Sequence, residues 1–551
     1  VSDRADVVII GAGLSGLVAA CELIERGKRV ILVDQEPRAS LGGQAFWSLG
    51  GLFMIDTPEQ RRMRIRDSVD LARQDWLGAA AFDRPEDFWP RAWAEAYLNF
   101  AAGEMRSWLH GLGMRWFPVV GWAERGGGLA DGHGNSVPRF HVTWGTGPGV
   151  LDPFVKRVVA AEREGKVELL FRRRVTRLIG DDKGITGVEG EILAEDNIRR
   201  GQRSNRDVVG DFRIEGAVIV ASGGIGGNQE LVRRVWPVER LGSPPARMLS
   251  GVPHHVDGLM IGHAEAAGAR PINGDRMWHY TEGIENWDPI WPNHGIRILP
   301  GPSSLWFDAD GNRMPAPCLP GFDGLATLQH ICKLGHSYSW FVTTQKIVKK
   351  EFALSGSEQN PDLTGRHIGL LLRSRLGRLA APPVEAFKAK GRDFVVAETL
   401  DELVAGMNRI ADRPLDLAHL RRQIEARDRE LDNPFAKDAQ IVALRQARGY
   451  LGDRFMRTAR PHRILDAKAG PLIAVRLHIL TRKILTRKSL GGLEADLNSQ
   501  ALGRSGALIP GLYACGEAAG FGGGGYHGCS ALEGTFLGGC IFSGRNAGRA
   551  A

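Results

Sequence analysis

The 551-residue sequence is short of thiols, of long apolar runs and of repeats. Its six cysteines, Cys21, Cys318, Cys332, Cys515, Cys529 and Cys540, contain no CxxC pair, which excludes a zinc ribbon and a thioredoxin-type site. No metal centre is expected. So few cysteines in a chain this long fit a reducing compartment, and no signal peptide is visible at the start, so a cytoplasmic protein is expected. No run of ~18 apolar residues occurs, so no transmembrane segment is expected. The net charge of +8 is a mild excess. Its basic clusters, such as Arg172-Arg173-Arg174, lie apart with acids nearby and read as solvated surface, and no nucleic-acid motif accompanies them. No nucleic-acid partner is expected.

Glycine is what the chain has in excess. It supplies 72 of 551 residues, well above the usual share of about 7%. Much of it is clustered, as at Gly42-Gly43, Gly223-Gly224 and Gly522 to Gly525, and clustered glycine marks left-handed turns or backbone pressed close to a ligand. The length points to more than one domain.

The opening stretch is the most specific. Val7-Val8-Ile9-Ile10 is a continuous apolar run, as a strand buried on both faces should be. Gly11-Ala12-Gly13-Leu14-Ser15-Gly16 follows, then a helical pattern ending near Gly27, then a second buried strand, Val30 to Val33, closed by Asp34 and Gln35. Gly11 makes the tight turn, Gly13 lets backbone approach a pyrophosphate, and Gly16 lets the helix pack on the strand. The helix N-terminus offers N–H groups to phosphate, and Asp34 is placed to take ribose hydroxyls. The unit reads as a dinucleotide site, and by itself leaves FAD and NAD open.

Later segments separate the two. Gly42-Gly43-Gln44-Ala45-Phe46-Trp47-Ser48-Leu49-Gly50-Gly51 resembles the GG-(N/Q)-(S/A)-xxA-x-GG segment of flavoproteins in the fumarate reductase and succinate dehydrogenase superfamily, which includes the 3-ketosteroid dehydrogenases. Ala221-Ser222-Gly223-Gly224-Ile225-Gly226-Gly227-Asn228 resembles its ATGG-x-GGN segment, and Gly511 to Glu517 its GLYA-x-GE segment. The resemblance covers roughly 1–275 and 450–551. It implies bound FAD, with the diphosphate over the first glycine loop and the backbone from Gly42 to Gly51 flanking the flavin. Gly516 and Glu517 would lie near the ribityl chain. A helix starting near Leu532, with Gly534, Thr535 and Phe536, would aim its N–H groups at the flavin pyrimidine. Val175 is expected against the cofactor as well.

The same resemblance directs attention to Tyr526-His527-Gly528-Cys529-Ser530-Ala531 for the chemistry. Fumarate reductases carry an Arg where this chain has Ala531, and a His where it has Lys488, so a dicarboxylate grip is lacking. The 3-ketosteroid dehydrogenases place a Tyr before this helix, which implies Tyr526 as the proton-transfer residue. His527 and Lys488 would assist it, and Tyr338 is a further candidate from the cap. The reading is an FAD-dependent oxidoreductase acting on a CH–CH bond beside a carbonyl. Its expected partners are an apolar ketone or steroid-like small molecule and an electron acceptor that the sequence leaves unnamed. A fumarate-reductase-type reductase of an unsaturated acid and a flavin carrier without turnover are the rivals.

The expected fold class is α/β. A doubly wound, Rossmann-like FAD-binding domain is formed by 1–275 and 451–551, with an inserted α+β cap over 276–450. Within the cap the periodicity predicts helices over 397–411 and 416–431. The charged stretch 185–215 is expected to be a loop or hairpin.

Overall fold

A computed structural model describes residues 3–126, 132–377, 379–481 and 490–551. Its first sheet has eight strands, and its main path runs 500–502, 508–514, 208–220, 3–10, 30–34, 167–171. Strand Asp3–Ile10 is central. Val7 pairs in parallel with Val30 on one side and with Ala217 on the other. Strands Gly184–Leu193 and Val208–Val220 pair antiparallel, so the charged stretch 185–215 is largely a hairpin, with Arg173–Asp181 added along its outer edge.

The continuous apolar runs follow from burial on both faces. Val7, Ile9, Val30 and Leu32 pack with helices Leu14–Glu25, Thr146–Arg163 and Thr535–Ala550. Their neighbours Val8, Ile10, Ile31 and Val33 face the other way, into a core shared with Val188, Ile214 and Met260. Each such side chain contributes roughly 1.5–3 kcal/mol by leaving water. Strands from both outer parts of the chain therefore share one sheet, which is covered on both faces.

A second, mostly antiparallel sheet belongs to the inserted segment. Its centre is strand Leu472–Thr481, which pairs with Tyr338–Thr344, Phe394–Ala397 and Tyr280–Glu285. That strand lies beyond the expected cap boundary at 450, so the insertion reaches further along the chain. Helices Leu400–Ile410 and Leu417–Arg429 cover this sheet close to where the periodicity placed them. No helix among the described residues is long and apolar enough to cross a membrane.

Helices Leu14–Glu25 and Thr535–Ala550 approach closely because glycine lines the contact. A Cβ on Gly544 would press into the Ser15 carbonyl, and one on Gly548 would meet Ala19 at 2.5 Å. Gly262, exposed on helix Leu259–Ala266, has nothing within 4 Å. Gly544→Ala should therefore destabilise the protein by about 1–3 kcal/mol through overpacking. Gly262→Ala should stabilise it by about 0.5–1 kcal/mol through helix propensity. Thermal melts at equal flavin saturation check the pair, and equal shifts in the same direction would contradict the packing account.

Candidate active site

The carboxyl ends of strands Asp3–Ile10, Val30–Asp34 and Val208–Val220 border a cleft of about 1000 Å³, where doubly wound sheets bind nucleotides. The three loop glycines have distinct positions. Gly11 has φ +108°, and a Cβ there would meet the Ala221 carbonyl oxygen at 2.6 Å. A Cβ on Gly16 would strike the Gly11 carbonyl. Gly13 instead faces open space, with nothing within 4 Å, and no side chain caps the helix that starts after it. Empty room beside an uncapped helix start fits a pyrophosphate.

Asp34 lies at the cleft wall. Its Oδ2 accepts the Ala12 N–H at 2.8 Å and its Oδ1 the Glu36 N–H at 2.8 Å. Burial pushes its carboxyl up to about 6, against the pull of those two N–H groups. Leu14, Ser15, Gln35 and Val175 border the same cleft, as do Gly43, Gln44, Ala221, Ser222, Gly223 and Glu517. Gln44 donates to Glu517 at 3.4 Å. Gly42, with φ +98°, holds the turn by donating to Ala12, and Gly516 is fixed by the Ser543 hydroxyl at 2.8 Å. Ala45 and Ser48 lie behind the cleft, where a Cβ on Gly147 would strike them. The segment His255 to Leu259 also borders the cleft. Its Asp257-Gly258 turn before a helix was the available signal in the sequence.

Gly50, Gly51, Gly534 and Phe536 border a different cavity of about 440 Å³, at the end where a flavin ring is expected. Gly534, with φ +92°, caps a helix that starts at Thr535, three residues later than expected. Leu532 precedes that helix and borders a neighbouring cavity of about 420 Å³. Glu533 borders both cavities.

Four polar residues meet there, and three of them, Tyr280, Glu282 and Arg297, lie outside any sequence motif. Tyr280 donates to Glu533 Oε1 at 2.6 Å, and Arg297 donates to the same oxygen at 2.8 Å. The Arg297 guanidinium lies 3.3 Å from the Tyr280 ring centre and also reaches Glu282 at 3.3 Å. All four residues are at least 95% buried. Burial raises the Glu282 carboxyl, although Arg297 opposes it. Burial lowers Arg297's affinity for its proton, but Glu282 and Glu533 outweigh that and leave it raised.

The expected catalytic residues lie elsewhere. Tyr526 is fully buried, and its hydroxyl donates to the Thr535 carbonyl. Its ring packs edge-on against Trp76 and Tyr97, 5.0 and 5.6 Å away, and burial holds its phenol well above the ordinary value. It borders neither cavity. His527 bonds Thr535 Oγ1 at 2.9 Å and lies within the same aromatic cluster. Tyr338 belongs to the core beneath the cap helices and accepts the Asp412 N–H. Lys488 lies outside the described residues.

Asp34 generates a prediction. If Asp34 holds the ribose, the ribose hydroxyls donate to its ionised carboxylate, and nucleotide binding then lowers its pKa and releases a proton. FAD affinity should be flat above pH 6 and fall as pH drops below it, by up to about tenfold per unit. Asp34→Ala should weaken binding roughly tenfold to a hundredfold and lose this pH dependence. Fluorescence titration of the flavin-free protein checks both, and unchanged affinity in the variant would contradict the assignment.

A family model described as an FAD binding domain matches residues 6–537. The chain is 61% identical to a KsdD-like steroid dehydrogenase of Mycobacterium tuberculosis (strain CDC 1551 / Oshkosh), over 99% of this chain and 95% of that one. It is 62% identical to a KsdD-like steroid dehydrogenase of Mycolicibacterium smegmatis, over 97% and 96%. Its fold is similar to that of 3-ketosteroid delta1-dehydrogenase from Sterolibacterium denitrificans, with a TM-score of 0.66, 17% identity and 99% of each chain covered. The glycine cradle, the Asp34 wall and a family match over nearly the whole chain agree: the protein belongs to the FAD binding domain family and is an FAD-dependent oxidoreductase.

Proposed function

We propose that the protein dehydrogenates a CH–CH bond beside the ketone of a steroid-like substrate, with Tyr280 as the proton-transfer residue. The observation that carries this reading is the Tyr280–Glu533 hydrogen bond on the wall of the cavity beside Gly50, Gly51 and Gly534. FAD supplies the hydride acceptor when bound. The Tyr280 oxygen takes the proton from the carbon next to the ketone while its own proton passes to Glu533. Arg297, close over the Tyr280 ring, favours phenolate character during that transfer. Leu49, Leu299, Phe140, Phe536 and Leu537 supply apolar walls that suit a steroid ring and exclude water.

Arg297 also bears on the rival reading. It donates to Glu282 and Glu533 through Nε and Nη1, and its Nη2 is left without a partner among the described residues, so one donor stays free for a substrate oxygen. With Ala531 at the position of the fumarate reductase arginine, a neutral carbonyl substrate is the better fit. A cytoplasmic location accords with six cysteines that are all buried free thiols.

The test is anaerobic mixing of the FAD-loaded protein with 4-androstene-3,17-dione and with its A-ring-saturated form, followed by flavin absorbance. Bleaching by either ketosteroid is the expected result. No bleaching, together with reoxidation of the reduced flavin by an unsaturated acid, would contradict the proposal. Tyr280→Phe should slow bleaching by about 100-fold or more while FAD stays bound, whereas Tyr526→Phe should leave it within about threefold. The reverse ranking would return the proton role to Tyr526.

A further inference from the structure

The neighbouring cavity of about 420 Å³ has no part in holding the flavin or the steroid in this reading, yet polar side chains form about half of its wall. Glu533 enters it from the reaction side, and Glu124, Asn135, Asp323 and Ser530 line the rest. Glu124 is buried, and its Oε1 accepts the Gly324 N–H at the start of helix Gly324–Lys333. The charged and titratable groups around it are Arg297, Glu533, Glu282 and Asp323. Asp323 is partly exposed, so the polar wall runs from the reaction cavity toward the surface. The space open to water there is enough for about two waters.

We propose that Glu124 is the second station of a proton relay that leads from Tyr280 through Glu533 and this cavity to the protein surface. The inference rests on the dehydrogenase reading above. In the reaction, the substrate loses a proton from the carbon beside the ketone and a hydride from the next carbon, and a C=C bond forms between them. The hydride's electron pair goes to the flavin. The proton passes from the Tyr280 hydroxyl to Glu533, then by cavity water to Glu124, which gives up its own proton toward Asp323. A buried carboxyl suits this exchange because it holds a proton at rest. Burial, with Arg297 opposing, raises Glu124 well above the ordinary carboxylate range.

Glu124→Gln keeps an oxygen for the Gly324 N–H but cannot pass a proton on. The holoprotein is mixed anaerobically with 4-androstene-3,17-dione, and separately with its A-ring-saturated form, in weak buffer containing a pH-indicator dye, and flavin bleaching and proton release are recorded together. In the natural protein the two signals should coincide. In Glu124→Gln, proton release should lag bleaching by about tenfold or more, and Glu124→Asp should restore coincidence. Infrared difference spectra of the resting protein should also show one protonated-carboxyl band lost in Glu124→Gln. Coincident signals in Glu124→Gln, or no lost band, would overturn the relay. Absence of bleaching in the natural protein would overturn the substrate reading instead.

Discussion

Arg297 is a cation with 1% of its surface exposed, and the arrangement of the reaction cavity depends on what surrounds it. An isolated charge at such a place costs many kcal/mol, so it persists only with partners. Glu282 comes from the cap sheet, as do Arg297 and Tyr280, whereas Glu533 comes from the loop before the helix that closes the nucleotide domain. The ion pair therefore ties the second sheet to the loop before the last helix, on the wall of the cavity beside Gly50 and Gly534. It also orients Tyr280, since one Glu533 oxygen accepts from both the phenol and the guanidinium. Removing Arg297 would leave Glu282 and Glu533 buried without their cation, at a cost of about 3–5 kcal/mol.

The nucleotide half works by the opposite device, the removal of side chains. Gly11 and Gly16 are glycine because neighbouring backbone occupies the place of a Cβ, whereas Gly13 is glycine with that place left open. The first two set the turn and the packing of the helix, and the third leaves room for the ligand. The same economy at Gly544 and Gly548 brings the first and last helices together, so the two ends of the chain share one core.

This difference explains what could be read in advance. The parallel strands, the glycine loop, Asp34 and the flavin-type segments are local patterns, and they appear where the sequence places them. The second sheet's central strand, Leu472–Thr481, lies beyond the expected cap boundary, because an apolar run does not say which sheet it joins. The reaction cluster is less local still. Tyr280 and Arg297 meet Glu533 across 253 and 236 residues, and no spacing rule spans such distances. Tyr526 drew attention by standing just before the last helix, yet proximity along the chain does not tell which side of a helix a residue occupies. It packs behind Thr535, while Glu533, only seven positions on, reaches the cavity.

The most direct measurement is a structure of the FAD-loaded protein with 4-androstene-3,17-dione bound. The account predicts the steroid A ring over the flavin, in the cavity beside Gly50 and Gly534, with a carbon next to the ketone about 3–3.5 Å from the Tyr280 oxygen. A steroid whose ketone end lies away from Tyr280, with the Tyr280–Glu533–Arg297 cluster sealed off behind protein, would contradict it.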